Sequence, residues 1–165
     1  MDGGVNISRF QNLSKDKYII INKIIESPQI VKALYYTDTN FLDKPDLEKP
    51  EKLIYNNIFP FRRIPDDNDL KTRKTYLTLS FRDYRPVKTA FKSGLIYISV
   101  FTHQDLFRTD YGFLRTDFII NKIDEILNNN RTVGIGKTSF YYMDEYYINS
   151  TYSGLTIGYK LYEWN

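Results

Sequence analysis

The sequence predicts an α+β fold: a mainly antiparallel four-stranded sheet packed by an amphipathic helix, with an N-terminal helical hairpin and a long proline-marked arm. Three observations predict it. Apolar residues recur at helical spacing in three segments, and they alternate with polar residues in segments of the second half of the chain. Prolines and charged residues crowd the stretch between residues 37 and 69, which resists regular structure. The resulting order, α-α-loop-β-β-α-β-β, is typical of a sheet covered by helices.

Length and composition are those of one folding unit. The chain has 165 residues and a mass of 19.6 kDa, which is enough to bury a core. Its hydrophobic content of 42% and charged content of 26% lie near the globular average, so we expect it to fold. We predict a single domain over residues 1–165, made of N-terminal helices (1–36), an extended arm or loop (37–70) and a sheet with its packed helix (71–165).

Two short helices are predicted near the N-terminus. Between residues 15 and 26, Ile19, Ile20, Ile24 and Ile25 lie at helical spacing, opposite lysine, asparagine and glutamate. Ser27 then has the position of an N-cap, and Pro28 that of the first residue of a second helix. The two helices are expected to form a hairpin.

The arm follows this hairpin. It contains four prolines, Pro45, Pro50, Pro60 and Pro65. Its centre, from Leu53 to Phe61, is too apolar to float free, so we expect it to dock on this domain or on a neighbour. Three aromatic residues of this centre are candidates for an interface: Tyr55, Phe59 and Phe61.

Four strands are predicted in the second half of the chain. Alternation of apolar and polar residues indicates a strand from Thr72 to Phe81 and another from Gly94 to Thr102. Two further strands are predicted from about Val133 to Tyr142 and from about Leu155 to Trp164. The segment from Asp144 to Ser153 is predicted to be a tyrosine-rich loop.

The strongest helical pattern lies between Leu114 and Asn128. Five apolar residues form one broad stripe: Ile119, Ile120, Ile123, Ile126 and Leu127. The opposite side is polar and charged, so the helix is expected to pack on the sheet by this stripe.

Composition excludes several kinds of chemistry. Cysteine is absent, which excludes disulfides, thiolate nucleophiles and cysteine-based zinc sites. The N-terminal residues lack the pattern of a secretion signal, and no apolar stretch approaches the ~20 residues that span a bilayer, so we expect a protein of its producer's cytoplasm. Aromatic residues make up 16% and include 15 tyrosines, which suit half-hydrated protein interfaces. The codon usage of a low-GC genome explains the same excess.

A nucleotide site is suggested by the residues from Gly134 to Thr138, which read Gly-Ile-Gly-Lys-Thr. A phosphate-binding loop also needs a glycine five positions before Gly136, where this chain has Arg131. It further needs a strand before it and a helix after it, the reverse of the predicted order. We therefore interpret the segment as a glycine-eased turn into a strand and expect no cofactor.

The single histidine, His103, is predicted to end a strand beside Asp105. A general base or a loose cation site can be drawn there, but a capped strand end or a subunit contact explains the same residues. The acidic run of Asp66, Asp67 and Asp69 is a second candidate for a weak cation, and solvated loop charge is its simpler interpretation. We therefore expect no metal site and no enzyme activity.

A basic stretch between residues 71 and 92 holds most of the excess positive charge. It contains seven cations, Lys71, Arg73, Lys74, Arg82, Arg85, Lys88 and Lys92, against Asp83 alone. Aromatic residues interleave with them, a pattern that suits phosphate neutralisation and base stacking. A hairpin that meets an acidic protein partner accounts for the same residues. The seven cations are therefore candidates for a subunit interface or a DNA channel.

In outline the chain resembles the neck proteins of long-tailed bacteriophages. The resemblance covers roughly residues 54–165 and rests on element order: a proline-marked segment ending in Ile58-Phe59-Pro60, strands such as Tyr76-Leu77-Thr78-Leu79 and Leu95 to Val100, the helix from Asp117 to Leu127 led by Arg115, and a last tyrosine-rich strand. Among these proteins it is most similar to the tail terminator, or tail-completion, proteins.

This resemblance implies a structural subunit of the virion neck. Such a subunit forms a ring, typically a hexamer, that joins the tail tube to the head-side connector, with transient contact to passing DNA and none to a membrane. It would be assembled in the host cytoplasm. The arm is longer than such a small subunit needs, and the basic hairpin also suits another neck component, such as a head-completion or connector protein. A small nucleic-acid-binding module that uses the basic hairpin 71–92 is the alternative function.

Overall fold

The computed structural model describes residues 10, 12–66, 68–87, 91–128 and 136–164. These residues form three α-helices: α1 (Leu13–Ile25), α2 (Pro28–Tyr35) and α3 (Arg115–Leu127). They also form five strands: β1 (Ile58–Phe59), β2 (Thr75–Val87), β3 (Phe91–His103), β4 (Lys137–Tyr147) and β5 (Tyr152–Trp164). None of the helices in this described part is long and apolar enough to span a bilayer.

The strands form one mixed sheet in the order β1-β2-β3-β5-β4. β1 runs parallel to β2, and the other neighbours are antiparallel. The predicted α+β class is confirmed, but the predicted number of four strands is wrong. The fifth strand, β1, has only two residues, which is too short for an alternating pattern to show.

β1 is held in place by Asn57, which precedes it. The buried side-chain amide of Asn57 donates hydrogen bonds to Leu34 O at 2.9 Å and to Thr75 O at 3.0 Å. The backbone carbonyl oxygen of Asn57 accepts a hydrogen bond from Leu77 N at 2.8 Å. One asparagine therefore links α2 to the start of β2 and sets the pairing of β1.

The strand boundaries differ from those predicted. β2 continues beyond Phe81 to Val87, and β4 continues through residues 144–147, which were predicted as loop. The prediction of a tyrosine-rich loop from Asp144 to Ser153 is therefore wrong. Despite a composition typical of loops, these residues pair across the two strands up to Tyr147 and Ser153, and only residues 148–151 connect β4 to β5. Asn149 closes that connection, since its side-chain oxygen accepts hydrogen bonds from the backbone amides of Thr151 and Tyr152.

One face of the sheet is covered by the helices. It presents Leu77, Leu79, Ile96, Ile98, Val100, Ile157, Tyr159 and Leu161, all of them buried. The stripe predicted on α3 is confirmed, because Ile119, Ile120, Ile123 and Leu127 are buried and Ile126 is partly buried in the same cluster. α2 begins as predicted, with Pro28 at its first position and the Ser27 side chain accepting from Ile30 N.

The arm is docked on its own domain. It contains short 3-10 turns at Phe41–Asp43, Pro50–Leu53 and Asp69–Lys71, and it places Phe41 and Leu53 in the main core. On the opposite face of the sheet, Phe59 joins a second buried cluster with Tyr76, Phe101 and Tyr152. The arm therefore covers one end of the face that the helices leave open.

Candidate assembly surfaces

His103 ends β3 and caps the turn that follows. Its Nδ1 accepts a hydrogen bond from the backbone amide of Asp105 at 3.1 Å and lies 3.7 Å from the carboxylate of that residue. The imidazole is buried and packs edge-on against Tyr152. This geometry is that of a capped strand end, one of the interpretations that the sequence left open for His103.

The segment that resembles a phosphate-binding loop leads from α3 into β4. Residues 131–135 lie outside the described residues, and Gly136 directly precedes the strand. Thr138 is buried and its hydroxyl donates to the carbonyl of Leu127, the last residue of α3. The segment therefore follows a helix and precedes a strand, which is the reverse of the order that binds a phosphate.

The acidic residues at the end of the arm serve the arm itself. Asp69 pairs with Arg63 at 2.6 Å and accepts a hydrogen bond from the Tyr76 hydroxyl at 3.0 Å. Asp66 accepts from the backbone amides of Asn68 and Asp69, while Asp67 lies outside the described residues. Across the part of the chain that the structure describes, no group of three His, Asp or Glu side chains is arranged to hold a metal ion.

The basic stretch does not form one patch. Lys71, Arg73 and Lys74 lie just before β2, whereas Arg82 and Arg85 lie within β2 toward its far end. At about 3.3 Å per residue, roughly 25 Å of strand separates the two groups. Lys88 lies outside the described residues, as does the side chain of Lys92.

The two groups also differ in their partners. Arg73 pairs with Asp105 at 3.3 Å, and Lys74 donates to the side-chain oxygen of Asn56 at 2.6 Å. Arg82 lies over the ring of Tyr97, with 4.7 Å between the guanidinium carbon and the ring centre. The first group therefore braces the arm and the end of β3, and the second belongs to the open face of the sheet.

That open face carries a row of tyrosines and cations, which we call the tyrosine face: Arg82, Tyr97, Tyr141, Tyr142 and Lys160. Tyr97 and Tyr142 meet edge to face with 5.6 Å between ring centres, and the Lys160 ammonium lies 4.7 Å from the ring centre of Tyr141. Burial raises the pKa of Tyr97, so its phenol stays neutral. The sequence did not reveal this row because its members come from four different strands.

A groove of about 910 Å³ lies on the helix-covered face, between α3 and the edge strand β4. We call it the β4 groove. Large apolar side chains are exposed along it: Leu114 (47%), Phe140 (50%), Met143 (51%) and Tyr147 (74%). Its aspartate and glutamate lining residues are Asp117, Asp124 and Glu145, and no lysine or arginine lines it.

A second exposed apolar surface lies on the arm, next to β1. We call it the arm patch: Tyr55, Phe61, Arg62 and Ile64. Tyr55, Phe61 and Ile64 are about half exposed, and Arg62 is exposed beside them. Of the aromatic candidates chosen from the sequence, Tyr55 and Phe61 lie on this patch, whereas Phe59 is buried.

Tyr55 has an unusual backbone conformation. Its φ of 64° lies in the left-handed region, which costs a residue with a large side chain roughly 1–2 kcal/mol. The conformation is held by a hydrogen bond from Tyr55 N to Ile58 O at 2.7 Å and by contact between the hydroxyls of Tyr55 and Tyr18. The fold therefore maintains a strained residue whose ring is largely exposed to solvent.

These features define a small α+β protein with exposed apolar surfaces at the two opposite edges of one sheet. The chain belongs to the YomW family, whose model matches residues 27–161, and the family name is derived from an SPbeta-like prophage. Comparison with curated proteins finds no match.

Proposed function

We propose that this protein is a structural subunit of a phage neck ring, a tail terminator that joins the tail tube to the head-side connector. The observation that carries the proposal is the exposed apolar row along the edge strand β4. A long edge strand with exposed apolar side chains is a template for association, which monomeric proteins usually blunt. The phage-derived family name supports the same origin.

In this proposal the protein acts by binding and has no enzymatic activity. Copies associate into a ring, with a hexamer as the expected size, and the ring contacts the tail tube on one side and the connector on the other. Arg82 and Arg85 face a neighbouring subunit or the DNA channel, where contact with passing DNA is transient. The protein is then located in the neck of the phage particle, and it is assembled into the particle in the host cytoplasm.

Association in solution is the first test. The purified chain, concentrated and measured by analytical ultracentrifugation, is expected to form species well above its 19.6 kDa monomer mass. Met143→Asp places a charge in the apolar row and is expected to return the chain to a monomer. Tyr35→Asp is the matched control, because Tyr35 is similarly exposed (52%) at the end of α2, and this variant is expected to associate like wild type.

The particle provides the second test. In the phage that encodes the chain, Met143→Asp is expected to give unattached heads and tails by electron microscopy, whereas Tyr35→Asp gives joined particles. If particles lacking the protein join normally, the proposed function is wrong.

Nucleic-acid binding is a second candidate function, favoured by the tyrosine face. Its cations lie on tyrosine rings in an open sheet face, an arrangement that suits a phosphate backbone with stacked bases. Binding to single-stranded DNA is then expected to fall steeply between ~50 and ~200 mM salt and to weaken in Arg82→Ala/Lys160→Ala. Lys49→Ala, an exposed lysine of the arm, is the control. Sub-micromolar binding at ~150 mM salt that is lost in the double variant favours this function over the ring.

A further inference from the structure

Resting on the proposed function, we propose that the ring is built head to tail, with the arm patch of one copy seated in the β4 groove of the next. The bound partner is thus a second copy of this chain, and its contact segment is the extended stretch around residues 61–64.

The two surfaces lie where a head-to-tail contact needs them. β1 and β4 are the two outer strands of the sheet, the arm patch adjoins β1, and the groove is bordered by β4. A ring requires two different surfaces that face in different directions, because a self-complementary surface closes after two copies. Opposite edges of one sheet meet that requirement.

The charges of the two surfaces are complementary. The groove has three carboxylates, Asp117, Asp124 and Glu145, while the arm patch has the exposed cation Arg62. Arg63 is engaged within its own chain, since it pairs with Asp69 at 2.6 Å and lies over the ring of Phe59. Arg62 is therefore the arginine of this segment that is placed to meet the groove.

The apolar parts match in the same way. The arm patch offers Phe61 and Ile64 on either side of the arginine pair, and the groove offers Phe140 and Met143 beside Leu114. Burying such side chains on both partners gives a dry centre with a charged contact at its margin, the usual anatomy of a specific interface.

The backbone of each partner also suits the contact. Residues 62–66 have no regular secondary structure, and within the described residues β4 pairs with β5 on one side only. An extended segment placed beside an edge strand satisfies the free backbone groups of that strand, as in β-augmentation. The bulge between Phe140 and Tyr142 limits this pairing, so we place the contact beyond it, near Met143 and Glu145.

Disulfide trapping tests the seating directly, because the chain has no cysteine of its own. Ile64→Cys protein mixed with Met143→Cys protein is expected to give a cross-linked dimer on mild oxidation, whereas neither variant cross-links alone. A chain that carries both substitutions is expected to give a ladder of linked copies that ends at the ring size. Ile64→Cys mixed with Tyr35→Cys is the control and is expected to remain unlinked. Cross-linking of Met143→Cys alone at the level of the mixture indicates a symmetric dimer and overturns the proposal.

Charge exchange provides an independent test. Glu145 is exposed and its backbone amide donates to the side chain of the neighbouring Asp144 at 2.8 Å, so its carboxylate is replaceable without loss of the fold. Arg62→Glu and Glu145→Arg are each expected to lower the affinity of association at least tenfold. The double variant Arg62→Glu/Glu145→Arg is expected to restore it to within about threefold of the wild-type affinity. Single variants that associate like wild type, or a double variant no better than either single one, overturn the proposal.

Failure of this seating is distinguishable from failure of the proposed function. If Met143→Asp abolishes association but Ile64→Cys and Met143→Cys do not cross-link, the ring subunit stands and its contact lies elsewhere. Both the proposed function and the proposed seating are wrong if three results coincide: wild type remains a monomer, the cysteine pair stays unlinked, and particles join without the protein.

Discussion

The guanidinium of Arg115 donates a hydrogen bond from Nη1 to the carbonyl oxygen of Ala33 at 2.8 Å, which joins the first residue of α3 to the last turns of α2. The same nitrogen donates to Tyr36 O at 2.8 Å, Nε donates to Leu106 O at 2.9 Å, and Nη2 donates to Asp38 O at 2.7 Å. Burial lowers the pKa of Arg115 to about 10, so the side chain stays charged at neutral pH. The negative end of the α2 dipole compensates that buried charge.

Arg115→Met is expected to destabilise the fold by about 3–5 kcal/mol, because it leaves buried carbonyls without partners at the junction of α2, the arm and α3. Urea unfolding followed by circular dichroism measures the loss. Arg108→Met, at an exposed arginine nearby in sequence, is the control and is expected to stay within ~0.5 kcal/mol of wild type. A loss below ~1 kcal/mol in Arg115→Met contradicts this role.

Ile123→Asp is expected to abolish folding. Ile123 is fully buried between α3 and the sheet, and an uncompensated carboxylate there costs several kcal/mol against a total stability of about 5–15 kcal/mol. Asn121→Asp puts the same side chain on the exposed side of α3 and is expected to cost only a few tenths of a kcal/mol through repulsion from Glu125. Thermal unfolding by circular dichroism separates the two, and a cooperative transition in Ile123→Asp within a few degrees of wild type contradicts the packing of α3.

The sequence predicted α3 well because its apolar stripe, from Ile119 to Leu127, repeats at helical spacing over about two and a half turns. It did not predict β1, since a two-residue strand is fixed by the side chain of Asn57 and not by a pattern of its own. The extent of β4 was missed for a related reason. Whether Asp144 to Tyr147 form a loop or a strand is decided by their partners on β5, which lie beyond any local window.

Of the candidate surfaces, only the part formed by residues close together in the chain could be predicted from the sequence. Tyr55 and Phe61 were identified from their apolar surroundings in the arm, and the structure exposes both. The groove and the tyrosine face were not identified, because they bring together residues far apart in the chain. Arg82 meets Tyr97 only because of the antiparallel register of β2 and β3, and one residue of slip would place them on opposite faces.

Gly154→Ala is expected to destabilise the protein by more than about 2 kcal/mol. A Cβ atom at this position would lie 1.9 Å from the carbonyl oxygen of Val100, so the backbones of β3 and β5 would have to separate. Gly112→Ala is the comparison, since its Cβ meets nothing within 4 Å and the cost of about 1 kcal/mol comes only from its φ of 79°. Chemical unfolding of both variants measures the difference, and equal losses contradict a close approach at Gly154.

The last prediction concerns alkaline pH and Tyr159. This tyrosine is fully buried and its hydroxyl donates to Asp124 Oδ1 at 2.7 Å. Burial first, and then this hydrogen bond and the charge of Asp124, raise the pKa of Tyr159 above its usual value of 10. An acid whose pKa is higher in the folded chain contributes stability that is complete below pH ~10, and that stability is lost at higher pH because the unfolded chain releases the proton first.

The free energy of unfolding of the wild type should therefore fall as the pH rises above about 10, by up to ~1.4 kcal/mol per pH unit from this group. Tyr159→Phe removes the phenol, so its stability is expected to be about 1 kcal/mol lower at pH 7 and to fall less steeply above pH ~10. The lowered pKa of Arg115 makes stability rise with pH in the same range, but it does so equally in wild type and Tyr159→Phe. Its effect therefore cancels in the difference between the two stability curves. Tyr162→Phe, at an exposed tyrosine of the same strand, should parallel wild type throughout. Urea unfolding at half-unit steps of pH measures all three curves, and parallel curves for wild type and Tyr159→Phe contradict the coupling of Tyr159 to Asp124.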